Sequence, residues 1–136
     1  MAPSKPIIDA DTAEYWNYLR LGELRLQHCR ACGRDRHPAR WICPQCLSGD
    51  FEWKRLSGQG QIYSFVWYMK PLHASFLEVP YNVAIIELDE GPQLVSGVDS
   101  VAIGELYVGR HVEARFVNMP GDWTALRFVP STKVRG

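Results

Sequence analysis

Two C-x-x-C pairs carry the clearest chemistry in this chain: Cys29 with Cys32, and Cys43 with Cys46, the pairs separated by ten residues. A C-x-x-C turn sets two thiolates on one side of an ion, and a second turn completes a tetrahedron. The pattern predicts a structural Zn²⁺ site closed by four sulfurs, with no open position for Lewis-acid chemistry. Iron in a rubredoxin-like site is the alternative metal, because the knuckles are alike. A redox dithiol would leave the second pair unexplained. With every cysteine a ligand, no free thiol remains as a nucleophile. His28 and His37 lie near the cysteines and are read as solvated or supporting groups, since four sulfurs already satisfy the ion. His73 falls in a loop and His111 on a polar strand face, neither with a Ser, Cys or carboxylate at a catalytic spacing. No catalytic residue is assigned.

The elements that must position these cysteines fall into two parts. Fifteen basic and fifteen acidic residues cancel over 136 residues, and four thiolates on one Zn²⁺ shift the metal form slightly acidic. The charges are uneven. Residues 20–40 hold six arginines (Arg20, Arg25, Arg30, Arg34, Arg36, Arg40) against Glu23 and Asp35, while residues 51–128 hold six bases against nine acids. The opening Met-Ala-Pro-Ser-Lys-Pro lacks an apolar signal core, and no apolar run reaches membrane-spanning length. The expected location is therefore cytoplasmic, where a reducing environment favours thiolate–metal bonds over disulfides.

Residues 1–50 read as a loose arm, a helix and the cysteine ribbon; residues 51–136 read as a barrel with a C-terminal tail. Asp11 is placed to cap the helix, with Glu14 three residues on; Tyr15, Trp16 and Leu19 recur at helical spacing, and Gly22 ends it. The ribbon has too little apolar mass to fold without metal. From Phe51 the pattern turns to period two. Strands are expected at Gln61–Tyr68, Tyr81–Leu88, Gln93–Val98 with a bulge at Gly97, Arg110–Val117 and Thr124–Val129. Asp89-Glu90-Gly91-Pro92 and Pro120-Gly121-Asp122 are turns. Five short strands point to a small barrel of the OB-fold type, so the fold class is mainly β: an N-terminal helix and zinc ribbon followed by a five-stranded OB-fold barrel.

The first barrel strand is apolar on both sides, with Tyr63, Phe65 and Trp67 expected on one face and Ile62, Val66 and Tyr68 on the other. In the next strand Ala84, Ile86 and Leu88 point inward and Val83 and Ile85 outward. Neighbouring strands with two apolar faces predict cover by the chain's own helix and ribbon or by a partner, in a hetero-oligomer. Barrels of this kind also bind single-stranded nucleic acid through aromatics in a basic groove. Here the aromatics are present but the barrel is acidic, which repels phosphates. A single-stranded nucleic-acid module, or a purely structural adaptor, stays as the alternative function.

A string of motifs carries a family resemblance. Gln27-His-Cys-Arg-Ala-Cys-Gly33, Pro38-Ala-Arg40, Cys43-Pro-Gln-Cys46, Ser57-Gly-Gln-Gly60, Val79-Pro-Tyr81, Ala84-Ile-Ile-Glu-Leu-Asp-Glu-Gly-Pro92 and Ile103-Gly104 occur in order. The chain resembles the family of zinc-ribbon OB-fold proteins that accompany thiolases and related acyl-CoA enzymes, over nearly its whole length. The resemblance implies a non-catalytic small subunit paired with a thiolase-fold partner in thiolytic or retro-aldol C–C cleavage. It implies a CoA thioester as the ligand of the complex. The basic ribbon, Arg34, Arg36 and Arg40, is then the place for phosphates, Trp41 for adenine, and Lys70 and His73 form a second candidate contact. One position departs: the family has glycine after the fourth cysteine, and this chain has Leu47, which predicts a looser second knuckle.

Overall fold

The computed structural model describes residues 5–70 and 79–131. Within them one helix, α1 (Ala13–Arg20), precedes eight strands: β1 (Arg25–Cys29), β2 (Asp35–Arg36), β3 (Phe51–Arg55), β4 (Gln59–Tyr68), β5 (Tyr81–Leu88), β6 (Gln93–Ser96), β7 (His111–Met119) and β8 (Trp123–Pro130). They form two antiparallel sheets, β2-β1-β3 and β6-β5-β4-β7-β8. The smaller sheet runs past residue 50, because β3 pairs with β1 along its length, from Arg25 opposite Arg55 to Cys29 opposite Phe51.

The helix starts differently from the expectation. Asp11 does not cap it: Thr12 is the N-cap residue and makes no side-chain cap bond, while Asp9 closes the preceding turn, its Oδ1 accepting from the backbone N–H of Thr12 at 3.0 Å and of Asp11 at 3.1 Å, and Thr12 Oγ1 accepting from the Asp9 N–H at 3.1 Å. A turn over residues 10–12 precedes Ala13 and puts the helix start one residue beyond Asp11. The other end is as expected. Gly22 takes φ 78°, its N–H reaches the Leu19 carbonyl, and the Glu23 N–H reaches that of Tyr18, both at 2.9 Å. This pair of bonds satisfies carbonyls the helix leaves unpaired.

The five-stranded sheet curls into a barrel of the OB type. The chain after β6 closes it on β8: the Phe128 N–H bonds the Gly97 carbonyl at 3.1 Å and the Asp99 N–H bonds the Phe128 carbonyl at 2.8 Å. Gly97 therefore belongs to this seam rather than to a bulge inside β6, whose pairing with β5 is regular from Gln93 to Ser96. The bulge sits in β4 instead, between Ile62 and Ser64. It changes which residues face inward. Tyr63 is squeezed out and exposed, and Phe65 and Trp67 pack on the core to which Ile62 belongs. Their expected separation onto opposite faces assumed unbroken alternation, which one extra residue reverses. β5 keeps perfect alternation, with Asn82, Ala84, Ile86 and Leu88 buried. Gly60, opposite both Leu88 and Val112, has no room for a side chain: a Cβ there would stand 2.6 Å from the Glu87 carbonyl oxygen.

Helix, ribbon and barrel share one core. Tyr15 and Leu19 from α1, and Leu24 and Leu26 from the ribbon, join Ile62, Ile86, Leu88, Val112 and Phe128. Burial holds the Tyr15 hydroxyl above its ordinary value, pushed up to about 12. The folded value exceeds the unfolded one, so this stability is complete below pH 10 and fades as pH rises from 10 towards 12. Over that window the loss should reach about 2 kcal/mol. Denaturant titrations at pH 8 and pH 11 check it: Tyr15→Phe should show a smaller alkaline loss than the parent by about 1.4 kcal/mol, the part of the loss reached by pH 11, and equal losses would refute the assignment.

Candidate metal centre and the surfaces around it

β1 delivers Cys29 at its last residue, and the two C-x-x-C turns then repeat one another bond for bond. In the first, the Gly33 N–H bonds the Cys29 carbonyl at 2.9 Å, and the Cys29 N–H bonds the Arg34 carbonyl at 2.8 Å. In the second, the Leu47 N–H bonds the Cys43 carbonyl and the Cys43 N–H bonds the Ser48 carbonyl, both at 2.9 Å. The residue after each second cysteine must be left-handed: Gly33 has φ 78° and Leu47 φ 64°. The expectation of a looser second knuckle is thus corrected. Leu47 adopts the backbone of a glycine, at a cost of about 1 kcal/mol, and its side chain is 76% exposed.

The four Sγ atoms lie within 4.8 Å of one another. Cys29 and Cys46 are 3.5 Å apart, and Cys32 and Cys43 3.7 Å. A tetrahedron of Zn–S bonds of about 2.3 Å has sulfur–sulfur edges of about 3.8 Å, so the donor set fits Zn²⁺. Cys29 and Cys43 are buried, Cys32 and Cys46 exposed. As free thiols they are unequal. The Cys46 and Gln45 backbone N–H groups bring Cys43 down to about 6, and the Cys32 N–H lowers Cys29. The Ser48 N–H pulls Cys46 down, but burial and the neighbouring sulfurs outweigh it and push that thiol up to about 12. Amides aimed at sulfur favour the thiolates a metal needs.

Neither nearby histidine belongs to this cluster. His28 Nδ1 meets Asp35 Oδ1 at 2.6 Å across the β1–β2 pair. His37 rests its ring on Tyr15, centroids 5.0 Å apart, and this desolvation lowers its pKa. The arginines divide. Arg20, Arg25 and Arg30 pair with Asp122, Glu23 and Asp50. Arg36 is buried: its Nε donates to Gln27 Oε1 at 2.8 Å, its Nη2 to the Arg40 carbonyl at 2.9 Å, and its guanidinium covers the Phe51 ring. Gln27 Oε1 also accepts from the Arg40 N–H at 2.8 Å. Arg34 and Arg40 stay exposed on the ribbon with no ion pair among the described residues, and Trp41 is 66% exposed beside them in sequence. Lys70 is exposed beyond the end of β4, and His73 lies outside the described residues. Of the six candidate ligand contacts, Arg34, Arg40 and Trp41 share the loop between the knuckles, Arg36 braces that loop from within, and Lys70 stands apart on the barrel.

Two features were missed in the sequence. Asn82 is a buried polar residue in an apolar run; its side chain holds the Val98 backbone from both sides, Nδ2 to the carbonyl at 2.8 Å and the N–H to Oδ1 at 2.7 Å. A groove of about 910 Å³ also lies among α1, the loop after β2, the β7–β8 face and the ends of β5 and β6. Its cue was the outward face of β7, where Arg115 and Val117 alternate with Ala114 and Phe116, which pack on the core.

Comparison with known proteins bears on both parts of the chain. The model of the ChsH2 rubredoxin-like zinc ribbon domain matches residues 16–52, and that of the ChsH2 C-terminal OB-fold domain matches residues 53–117. The chain is 33% identical over 127 residues to a probable enoyl-CoA hydratase alpha subunit of Thermomonospora curvata, covering 93% of this chain and 40% of that protein. It is 35% identical over 96 residues to a DUF35 domain-containing scaffold protein of Methanocaldococcus jannaschii, covering 69% of this chain and 67% of the scaffold. Among solved structures, a chain of the Ltp2-ChsH2(DUF35) aldolase superposes with a TM-score of 0.83 at 33% identity, over 93% of this chain and 98% of that one.

Metal analysis of the purified chain should find about one zinc, with X-ray absorption giving four sulfurs at about 2.3 Å. Chelation, or Cys43→Ala, should unfold the ribbon, because binding and folding are linked. A site filled mainly by iron, or a disulfide between the pairs, would contradict this.

Proposed function

Because the chain belongs to the ChsH2 family of zinc-ribbon and OB-fold proteins, we propose that it is a non-catalytic small subunit of an acyl-CoA enzyme complex. Its partner is a thiolase-fold enzyme that carries out thiolytic or retro-aldol C–C cleavage and supplies the reacting groups. This chain contributes a zinc-held ribbon, a docking face and contacts to the CoA thioester. The single observation that carries the reading is the outward strip of β4, β5 and β6. Tyr63, Val66 and Val95 are each at least half exposed, Val83 and Ile85 are partly covered, and the register sets Val66 opposite Val83 and Ile85 opposite Val95. A contiguous apolar strip on a folded chain is an interface feature.

No group among the described residues is organised for turnover. The sulfurs would close the metal's coordination, His28 is held by Asp35, and His37 is packed on Tyr15. The family's enzymatic relatives point the same way: the probable hydratase alpha subunit is about two and a half times the length this chain spans. The Arg34, Arg40 and Trp41 loop is the proposed contact for CoA phosphates and adenine, with Lys70, and His73 beyond the described residues, as a second contact. Arg36 acts from inside the loop, fixing the Arg40 backbone.

Assays of acyl-CoA cleavage should show no turnover by this chain alone and turnover when a thiolase-fold partner is added. Val66→Asp should weaken assembly at least tenfold, measured by native mass spectrometry or sedimentation, with melting of the isolated chain little changed. Turnover by the chain alone, or assembly indifferent to Val66→Asp, would overturn the reading.

In the assembled enzyme, replacing Arg34 and Arg40 together by glutamine should raise the KM for the acyl-CoA severalfold with a smaller change in kcat. Contacts to a remote phosphate hold ground and transition states alike. An unchanged KM would leave the chain as a scaffold that never touches the ligand.

A further inference from the structure

The outward face of β7 and β8 is a ladder of directly opposed pairs: Arg115 with Arg127, Val117 with Ala125, and Met119 with Trp123. All six residues line the groove beneath α1. The ladder is graded along its length, charged at one end and apolar at the other. Five rungs of strand lie between Arg115 and Met119, inclusive, so the floor is roughly 13 Å long at the usual rise per residue.

Two arginines directly opposite one another repel. Here one carboxylate serves both. Asp99 Oδ1 accepts from Arg127 Nη2 at 2.7 Å and from its Nε at 3.2 Å, and Asp99 Oδ2 stands 4.0 Å from Arg115 Nη1. The Arg127 guanidinium lies so close over Gly97 that a Cβ there would overlap it. Asp99 is the only carboxylate among the described residues lining the groove. One negative charge thus faces two positive ones, and the unbalanced charge belongs chiefly to Arg115, whose side chain is half exposed.

The far end is aromatic. Trp123 meets Trp16 edge-on at 5.9 Å, Trp16 meets Tyr15 at 5.3 Å, and Tyr15 carries His37. A volume near 910 Å³ is at the upper end of the range for a small-molecule site. A neutral apolar ligand would leave the charged end unused. A nucleic acid would find rings at Trp123, Tyr68 and Tyr81 but a single unbalanced cation, too little to hold a chain of phosphates.

We propose that this groove binds a small amphipathic anion. Its apolar body, the size of a medium-length acyl chain, lies over Val117, Ala125 and Met119 towards Trp123. Its single anionic head, a carboxylate or a phosphate, sits at Arg115 beside the Arg127–Asp99 pair. The site uses none of the residues assigned to the CoA thioester and stands without the acyl-CoA reading.

The test is titration calorimetry of the full, zinc-loaded chain with dodecanoate and dodecyl phosphate below their micelle concentrations and dodecanol below its solubility limit. One or both anions should bind one to one and at least tenfold tighter than dodecanol; the tighter of the two identifies the head group. Arg115→Gln should weaken the anions at least tenfold and leave dodecanol unchanged, while Arg115→Lys should retain most of the affinity. Val117→Glu, at mid-floor, should abolish binding of all three; circular dichroism confirms that the variants fold. Failure of both anions to bind, dodecanol binding as tightly, or Arg115→Gln at parental affinity would overturn the proposal. None of these outcomes involves a partner protein, so the subunit reading stands or falls separately on Val66→Asp.

Discussion

Convergence of four sulfurs is the constraint on which the N-terminal half depends. The small sheet cannot hold itself: β2 is two residues long, and β3 has no fully buried side chain. Two knuckles closed on one ion tie the loop from Arg34 to Ile42 at both ends, and metal binding becomes folding free energy. What the tie secures is a relay of contacts. Arg36 reaches Gln27 and the Arg40 carbonyl, the next residue His37 lands on Tyr15, Tyr15 touches Trp16, and Trp16 touches Trp123 on β8. No sulfur lines the groove, yet His37, Pro38 and Ala39 of the tied loop form one wall of it.

The barrel obeys a different constraint, that each strand must satisfy two faces at once. β5 does so by strict alternation, and its bounds, Tyr81–Leu88, were legible to the residue. β4 does so by slipping one residue at Tyr63, which residue types alone do not reveal, since aromatic and aliphatic side chains fill both faces. Asp11 has the residue type of a cap, and only the turn over residues 10–12 puts Thr12 at the helix start instead. Arg36 looked like one more cation in a basic run; its register opposite Gln27 buries it. Asn82 went unread because its partner, Val98, is sixteen residues away. The cysteine site was legible because its geometry is written in local spacing, whereas these others depend on pairings between distant segments.

The opposed arginines fall between those cases. Pro120-Gly121-Asp122 reads as a turn from sequence, and a hairpin whose strands meet at Met119 and Trp123 puts Arg115 opposite Arg127 by counting alone. The count predicts a repulsive pair at that rung. It does not predict Asp99, which arrives from the chain after β6 only because that segment closes the barrel on Phe128. A local pattern posed the electrostatic problem, and a long-range closure answered half of it.

Groove and strip also meet. Val83 and Val95 belong to the outward strip of β5 and β6 and to the rim of the groove. A protein seated on the strip would therefore wall one side of the groove and exclude water from it. Arg115 faces solvent in the isolated chain, where its attraction for an anion is screened. With the rim covered, the local dielectric falls and the same charge acts more strongly. Binding at the groove and docking on the strip would then favour one another with no change of backbone, through the side chains they share.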